Sequence, residues 1–201
     1  MCASLHLREE VMSWINPALH GVAQPARPES APVDADGQTQ AGFALRVVDI
    51  ADMVVSDDPN DVLVTYSLGS CLGVAIYDPV ARAGGMIHCM LPLSKVDEEK
   101  ARAKPAMFVD TGMTVLMEAL FRLGARKANA VVKIAGASQV LERQGLFRIG
   151  ERNVAVARKI LWKNSMLIAA EDVGGDVART VRLEIGTGRF FIRSEGVMRE
   201  M

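Results

Sequence analysis

Two short runs and the turn between them constrain this chain most. Leu72 to Tyr77 is aliphatic and partly β-branched, Gly85 to Leu91 is a second such run, and Asp78-Pro79 and Gly84-Gly85 punctuate the space between. The pattern predicts a β-hairpin with a loop of about six residues. With Tyr77 facing Gly84, Gly73 falls opposite His88 and Cys71 opposite Met90, which makes Cys71 and His88 diagonal neighbours on one face. Diagonal neighbours lie about 7–8 Å apart at the backbone, within reach of an imidazole and a sulfur. A slip of one residue would put them on opposite faces. Gly73 and Ala75 share that face, and their small side chains are expected to leave room for a substrate.

The hairpin holds two of the three cysteines and the one histidine beyond the first twenty residues. Gly69-Ser70-Cys71-Leu72-Gly73 is a G-x-C-x-G turn, in which glycine lets the backbone bend while N–H groups stay free for a developing oxyanion. Cys71 therefore reads as a nucleophile and His88 as its base, since a nearby imidazole favours the thiolate. Gly69 and Ser70 are the expected oxyanion residues. Thr65, at the end of Val62-Leu63-Val64, is the candidate for orienting the ring. Ser70 as nucleophile is the competing reading, although a hydroxyl depends more heavily on its base. Cys89 alternates to the other face and reads as core. A Cys71/His88/Cys89 metal site would need adjacent His and Cys side chains to converge and still lacks a fourth ligand, so no metal or cofactor is expected.

The whole chain sets bounds on this chemistry. Its 201 residues, 50% hydrophobic, suffice for one core. A net charge of −1 and pI near 6.3 give no electrostatic case for nucleic acid. Three cysteines fit a reducing compartment better than a disulfide scaffold, and no apolar stretch reaches membrane-spanning length, so a cytoplasmic protein without membrane insertion is expected. Leu7, Val11, Ile15 and Leu19 recur at helical spacing, which suggests a short amphipathic helix within 1–22, and 23–43 reads as a flexible linker. The folded domain is expected over 44–195, with 196–201 as a tail.

Inside that domain Ala44 to Val48 reads as a strand and Asp57-Asp58-Pro59-Asn60 as a turn. Ser94 to Lys104, with seven charges in eleven positions, reads as a solvated connection. Val109, Met113, Leu116, Leu120 and Leu123 predict a helix from Pro105 to Leu123. A strand over Ala130 to Ala135 should deliver Ser138 to the border of the site. A second helix is expected over Gly150 to Asn164, where Glu151-Arg152-Asn153 suits either substrate contact or helix capping. Met166 to Ala170 reads as a strand, Glu171 to Asp176 as a polar loop, and Thr180 to Ile192 as a hairpin turning at Gly186-Thr187-Gly188.

These segments resemble a known family, the chemoreceptor glutamine deamidases of bacterial chemotaxis (CheD). The resemblance rests on Thr65, Leu68-Gly69-Ser70-Cys71, Tyr77-Asp78-Pro79, Gly85 to Pro92, Gly150-Glu151-Arg152-Asn153, Ala170 to Gly175 and Arg179-Thr180, in family order over roughly 45 to 193. It places the family's catalytic Cys, His and Thr on Cys71, His88 and Thr65. It implies hydrolysis of a receptor glutamine amide to glutamate and ammonia through a thioester on Cys71. It also implies a three-layer α/β/α fold with a β-sandwich-like centre, similar to the catalytic domain of cytotoxic necrotizing factor toxins, and a CheC-type phosphatase as a partner beside the chemoreceptors. Ala135-Gly136-Ala137-Ser138 and Asp176-Val177-Ala178 depart from the family pattern in loops that shape the site. Two other functions stay open at this point: a regulatory module that engages the phosphatase, and a receptor methylesterase.

Overall fold

The computed structural model describes residues 43–139 and 148–201, all within one unit of the chain, Pro32–Met201. The expected helix at 1–22 and nearly all of the linker lie outside the described residues. In chain order the elements are β1 (Ala44–Val47), β2 (Asp52–Ser56), β3 (Asp61–Leu68), β4 (Leu72–Asp78), β5 (Ala83–Cys89), α1 (Glu98–Ala103), α2 (Val109–Arg122), β6 (Val131–Gly136), α3 (Ile149–Lys163), β7 (Ile168–Val173), β8 (Arg179–Glu184), β9 (Phe190–Ser194) and β10 (Val197–Glu200). The strands form two five-stranded sheets, β1-β3-β8-β9-β10 and β2-β5-β4-β6-β7, and the class is mixed α/β.

Every residue of β4 is buried, and its alternation divides them between two cores. Leu72, Val74 and Ile76 face α2 and α3 and meet Ile87, Val109, Met113, Leu116, Ala157 and Leu161. Ala75 and Tyr77 face the other sheet and meet Leu63, Leu183, Phe190 and Ile192. This explains the unbroken apolar run, because a strand covered on both faces needs no polar alternation. Complete burial of an aliphatic side chain such as Leu72 contributes about 1.5–3 kcal/mol. α2 packs against β2 and β5, and α3 against β4 and β7, so the two long helices cover the second sheet and the layering among the described residues is helix, sheet, sheet.

The hairpin register is the one its turn residues imply: Tyr77 pairs with Gly84 and Gly73 with His88. The connection is shorter than expected, since Asp78 also pairs with Ala83. The Asp78 carboxylate accepts from the N–H groups of Val80, Ala81 and Arg126 and tightens the turn.

Several sequence expectations change. The charged stretch 94–104 is no bare connection: Asp97 caps α1 by accepting from the Lys100 N–H, and the N–H and hydroxyl of Ser94 donate to Asp110. Glu171 to Val173 belongs to β7, because it pairs with β6. Residues 196–201 are not a free tail; Val197–Glu200 adds a strand to β9, and the Met201 N–H donates to the Phe190 carbonyl. Among the described residues no helix is long and apolar enough to cross a membrane.

Candidate active site

The site lies where the chain passes from one sheet to the other. β3 ends in a bulge: Thr65 pairs with Val181 and Leu68 with Arg179, so Tyr66 and Ser67 occupy the space opposite Thr180, with Ser67 at a φ of 54°. Such a bulge re-aims the strand. The buried Leu68 then inserts between the sheets, and Gly69-Ser70-Cys71 crosses to β4. Cys71 is partly buried against the inter-sheet core, whereas Cys89 is fully buried on the helix side. His88 lies one residue from Cys89 and two from Met86, which puts it on the inter-sheet face with Met86 and Cys71. The room expected beside Gly73 is already occupied: a Cβ there would come within 2.7 Å of the Leu68 side chain.

Thr65 and His88 meet across the sheet interface. The Thr65 Oγ1 lies 2.7 Å from His88 Nδ1 and donates to the Val48 carbonyl at 2.7 Å. A hydroxyl has a single proton, and the carbonyl can only accept it. His88 Nδ1 must therefore carry a proton and donate to Thr65, which leaves Nε2 bare. That Nε2 is buried and has no hydrogen-bond partner among the described residues. A bare, buried and unengaged imidazole nitrogen is what a general base presents.

Burial holds His88 far below the ordinary imidazole range, to about 4, against a smaller opposing pull from the negative charge of Asp49. Burial likewise pushes the Cys71 thiol upward, offset in part by its own backbone N–H. Both shifts favour the neutral thiol and neutral imidazole over an ion pair at neutral pH.

The crossover turn is held by its carbonyls. Gly69 O accepts from the Ser138 N–H at 2.8 Å, Cys71 O from the Ala137 N–H at 2.7 Å, and Ser70 O from Asn153 Nδ2 at 3.1 Å. In a trans peptide the N–H opposes the C=O of the same unit. Anchoring the Gly69 and Ser70 carbonyls inward therefore turns the Ser70 and Cys71 N–H groups the other way, and neither donates to a backbone carbonyl among the described residues. A Cβ at Gly69 would meet open space, so this side of the turn is accessible. The support behind it is tight: a Cβ at Gly136 would lie 2.5 Å from Cys71 O, and one at Gly150 would lie 2.3 Å from Ala137 O.

Ser138 contributes its backbone to the turn, and its buried Oγ has no partner among the described residues. Asn153 is fully buried and bonds the turn, a role the sequence reading did not assign. Its signal was a polar residue on the stripe formed with Val154, Ala157 and Leu161, the buried side of α3. Two carboxylates of the 171–176 stretch are paired: Glu171 with Arg158, and Asp172 with Arg179 and Arg199.

Comparison with known proteins bears on this geometry. Residues 90–194 match the family model described as "CheD chemotactic sensory transduction". The probable chemoreceptor glutamine deamidase CheD 1 of Syntrophus aciditrophicus (strain SB) is 50% identical over 150 residues, 75% of this chain and 94% of that protein. The probable chemoreceptor glutamine deamidase CheD of Solibacter usitatus (strain Ellin6076) is 46% identical over 155 residues, 77% of this chain and 92% of the relative. Among solved structures, the Neisseria meningitidis protein NMB0706 is similar at 11% identity over 68% of this chain and 64% of that one, with a TM-score of 0.41.

Proposed function

This chain belongs to the CheD family, and we propose that it hydrolyses glutamine side-chain amides of chemoreceptors to glutamate, with Cys71 as nucleophile, His88 as base and then acid, and Thr65 fixing the imidazole. The relatives are named for chemoreceptor glutamine deamidation, and that activity is an enzyme's. The observation that supports this mechanism is the bare, buried Nε2 of His88 on the same inter-sheet face as Cys71, its Nδ1 pinned by Thr65.

The thiol sulfur attacks the carboxamide carbon while its proton passes to His88 Nε2. The tetrahedral oxyanion is received by the Ser70 and Cys71 N–H groups, at a turn whose supporting shell includes Gly69 and Ser138. The imidazolium gives its proton to the amide nitrogen, the C–N bond breaks, and ammonia leaves a thioester on Cys71. Water then attacks with Nε2 taking its proton, and breakage of the C–S bond returns the thiol and a glutamate. Proton transfer of this kind contributes about 10²–10⁴-fold.

The deamidase domain in this reading begins at 44 and continues past the expected end at 195 to take in β10, which completes its first sheet, and it acts in the cytoplasm without inserting in the membrane. A CheC-type phosphatase is its expected second partner, competing with receptor for the same side. The test incubates a receptor cytoplasmic segment with the protein and follows ammonia and the mass increase that replacement of NH2 by OH brings. The wild type should produce both and Cys71→Ala neither. Binding without a mass change would favour a regulatory module, and release of methanol would favour a methylesterase; either overturns the proposal.

A further inference from the structure

Asn153 begins the second turn of α3, far from Cys71 in sequence, and its side chain is enclosed within the protein. Its Nδ2 donates both hydrogens, one to Ser70 O and one to Met90 O, each at 3.1 Å. Ser70 lies just before β4 and Met90 just after β5, so one carboxamide ties together the open end of the catalytic hairpin. That end is where strand pairing stops, since Leu72–Cys89 is the last pair of the ladder. Beyond it, Asn153 is the bond that spans the two strands' continuations.

We infer that Asn153 is a positioning residue whose carboxamide orients the Ser70–Cys71 peptide, so that the Cys71 N–H faces the oxyanion. The inference rests on Cys71 being the nucleophile. Ser70 O and Cys71 N–H belong to the same planar unit, so fixing the carbonyl fixes the donor. The Gly69 and Cys71 carbonyls are held by the backbone of 137 and 138, but the middle carbonyl depends on this one side chain. Without it the peptide is free to rotate about the bonds flanking it, and the donor points elsewhere in nearly all of the population. The support is itself braced, because Gly150 one turn earlier lets α3 sit directly on the Ala137 carbonyl.

The test separates donor placement from general damage by using two reactions of one thiol. Deamidation of a receptor segment passes through an oxyanion, whereas alkylation of Cys71 by iodoacetamide is a displacement that develops none. Asn153→Asp keeps the size and removes both donated hydrogens; Asn153→Ser is run beside it so that poor folding of one does not end the comparison. The inference predicts a kcat for deamidation lower by about 10²-fold, the usual cost of one lost oxyanion donor, with KM and the alkylation rate near their wild-type values. Leu161→Ala, which opens a gap in the same helix's core, controls for lost stability and should lower Tm while keeping both rates. Equal losses of deamidation and alkylation, or no loss in either Asn153 variant, would overturn the inference. If instead Cys71→Ala still deamidates the segment, the nucleophile assignment fails, whatever the Asn153 variants do.

Discussion

Thr65→Val isolates the pairing on which the proposed chemistry depends. Valine nearly matches threonine in shape, so the inter-sheet packing around this fully buried residue is kept. Two bonds disappear, the one donated to Val48 O and the one accepted from His88 Nδ1. Each leaves a buried polar group unmatched, at about 1–3 kcal/mol apiece in stability. The effect on catalysis is separate. Without Oγ1 nothing holds the ring proton on Nδ1, and a proton on Nε2 disables the base. A tautomer preference of about 1.4–2.8 kcal/mol, within the range for a buried hydrogen bond and its loss, corresponds to a kcat lower by about 10–10²-fold. The assay is the deamidation rate of a receptor segment at saturating concentration, followed by mass, with folding checked by Tm. Thr65→Ser keeps the hydroxyl and should stay within a few-fold of wild type. A folded Thr65→Val protein with undiminished kcat would refute the reasoning.

The depressed His88 pKa makes stability pH-dependent in a stated direction. Between about 4 and the unfolded value near 6.5 the unfolded chain binds a proton that the folded chain does not, so stability from this group is present above about pH 6.5 and falls by about 3 kcal/mol as pH drops to about 4 and below. Denaturant titrations across that window should show the loss, and His88→Gln should flatten it. Gly150→Ala reverses the usual rule: alanine in a helix is ordinarily favoured by about 1 kcal/mol, but here its Cβ would lie 2.3 Å from Ala137 O, so melting should show a destabilised protein. Cys89→Ala removes a thiol that faces the helices, and the deamidation rate should remain near wild type; a loss matching that of Cys71→Ala would show that the two cysteines have been misassigned.

The hairpin was legible because its information is local. Tyr77, Asp78, Pro79 and the Gly84-Gly85 pair specify a tight turn, and the turn fixes the register that places Gly73 beside His88. The inter-sheet face followed from strand periodicity alone. Thr65 was legible as the partner of His88, but contacts that depend on strand order were not. That Thr65 would find a carbonyl 17 residues earlier, at Val48, depends on β1 lying parallel beside β3, which no local pattern encodes. β2 escaped notice because Asp52-Met53-Val54-Val55-Ser56 is strand only through its pairing with β5. The room inferred beside Gly73 was filled by Leu68, a residue whose inward course follows from the bulge at Tyr66-Ser67. The charges of 94–104 hid a helix because solvent exposure and a capped six-residue turn are compatible. Asn153 was visible only as a polar residue on an apolar stripe, and its partners come from two distant strands.

The proposed chemistry turns on which nitrogen of His88 holds the proton. Long-range ¹H–¹⁵N correlation spectra of ¹⁵N-histidine protein at neutral pH, assigned with His88→Gln, read this directly. The predicted result is a neutral ring with its proton on Nδ1 and a bare Nε2. A proton on Nε2, or a ring protonated at both nitrogens, would contradict it.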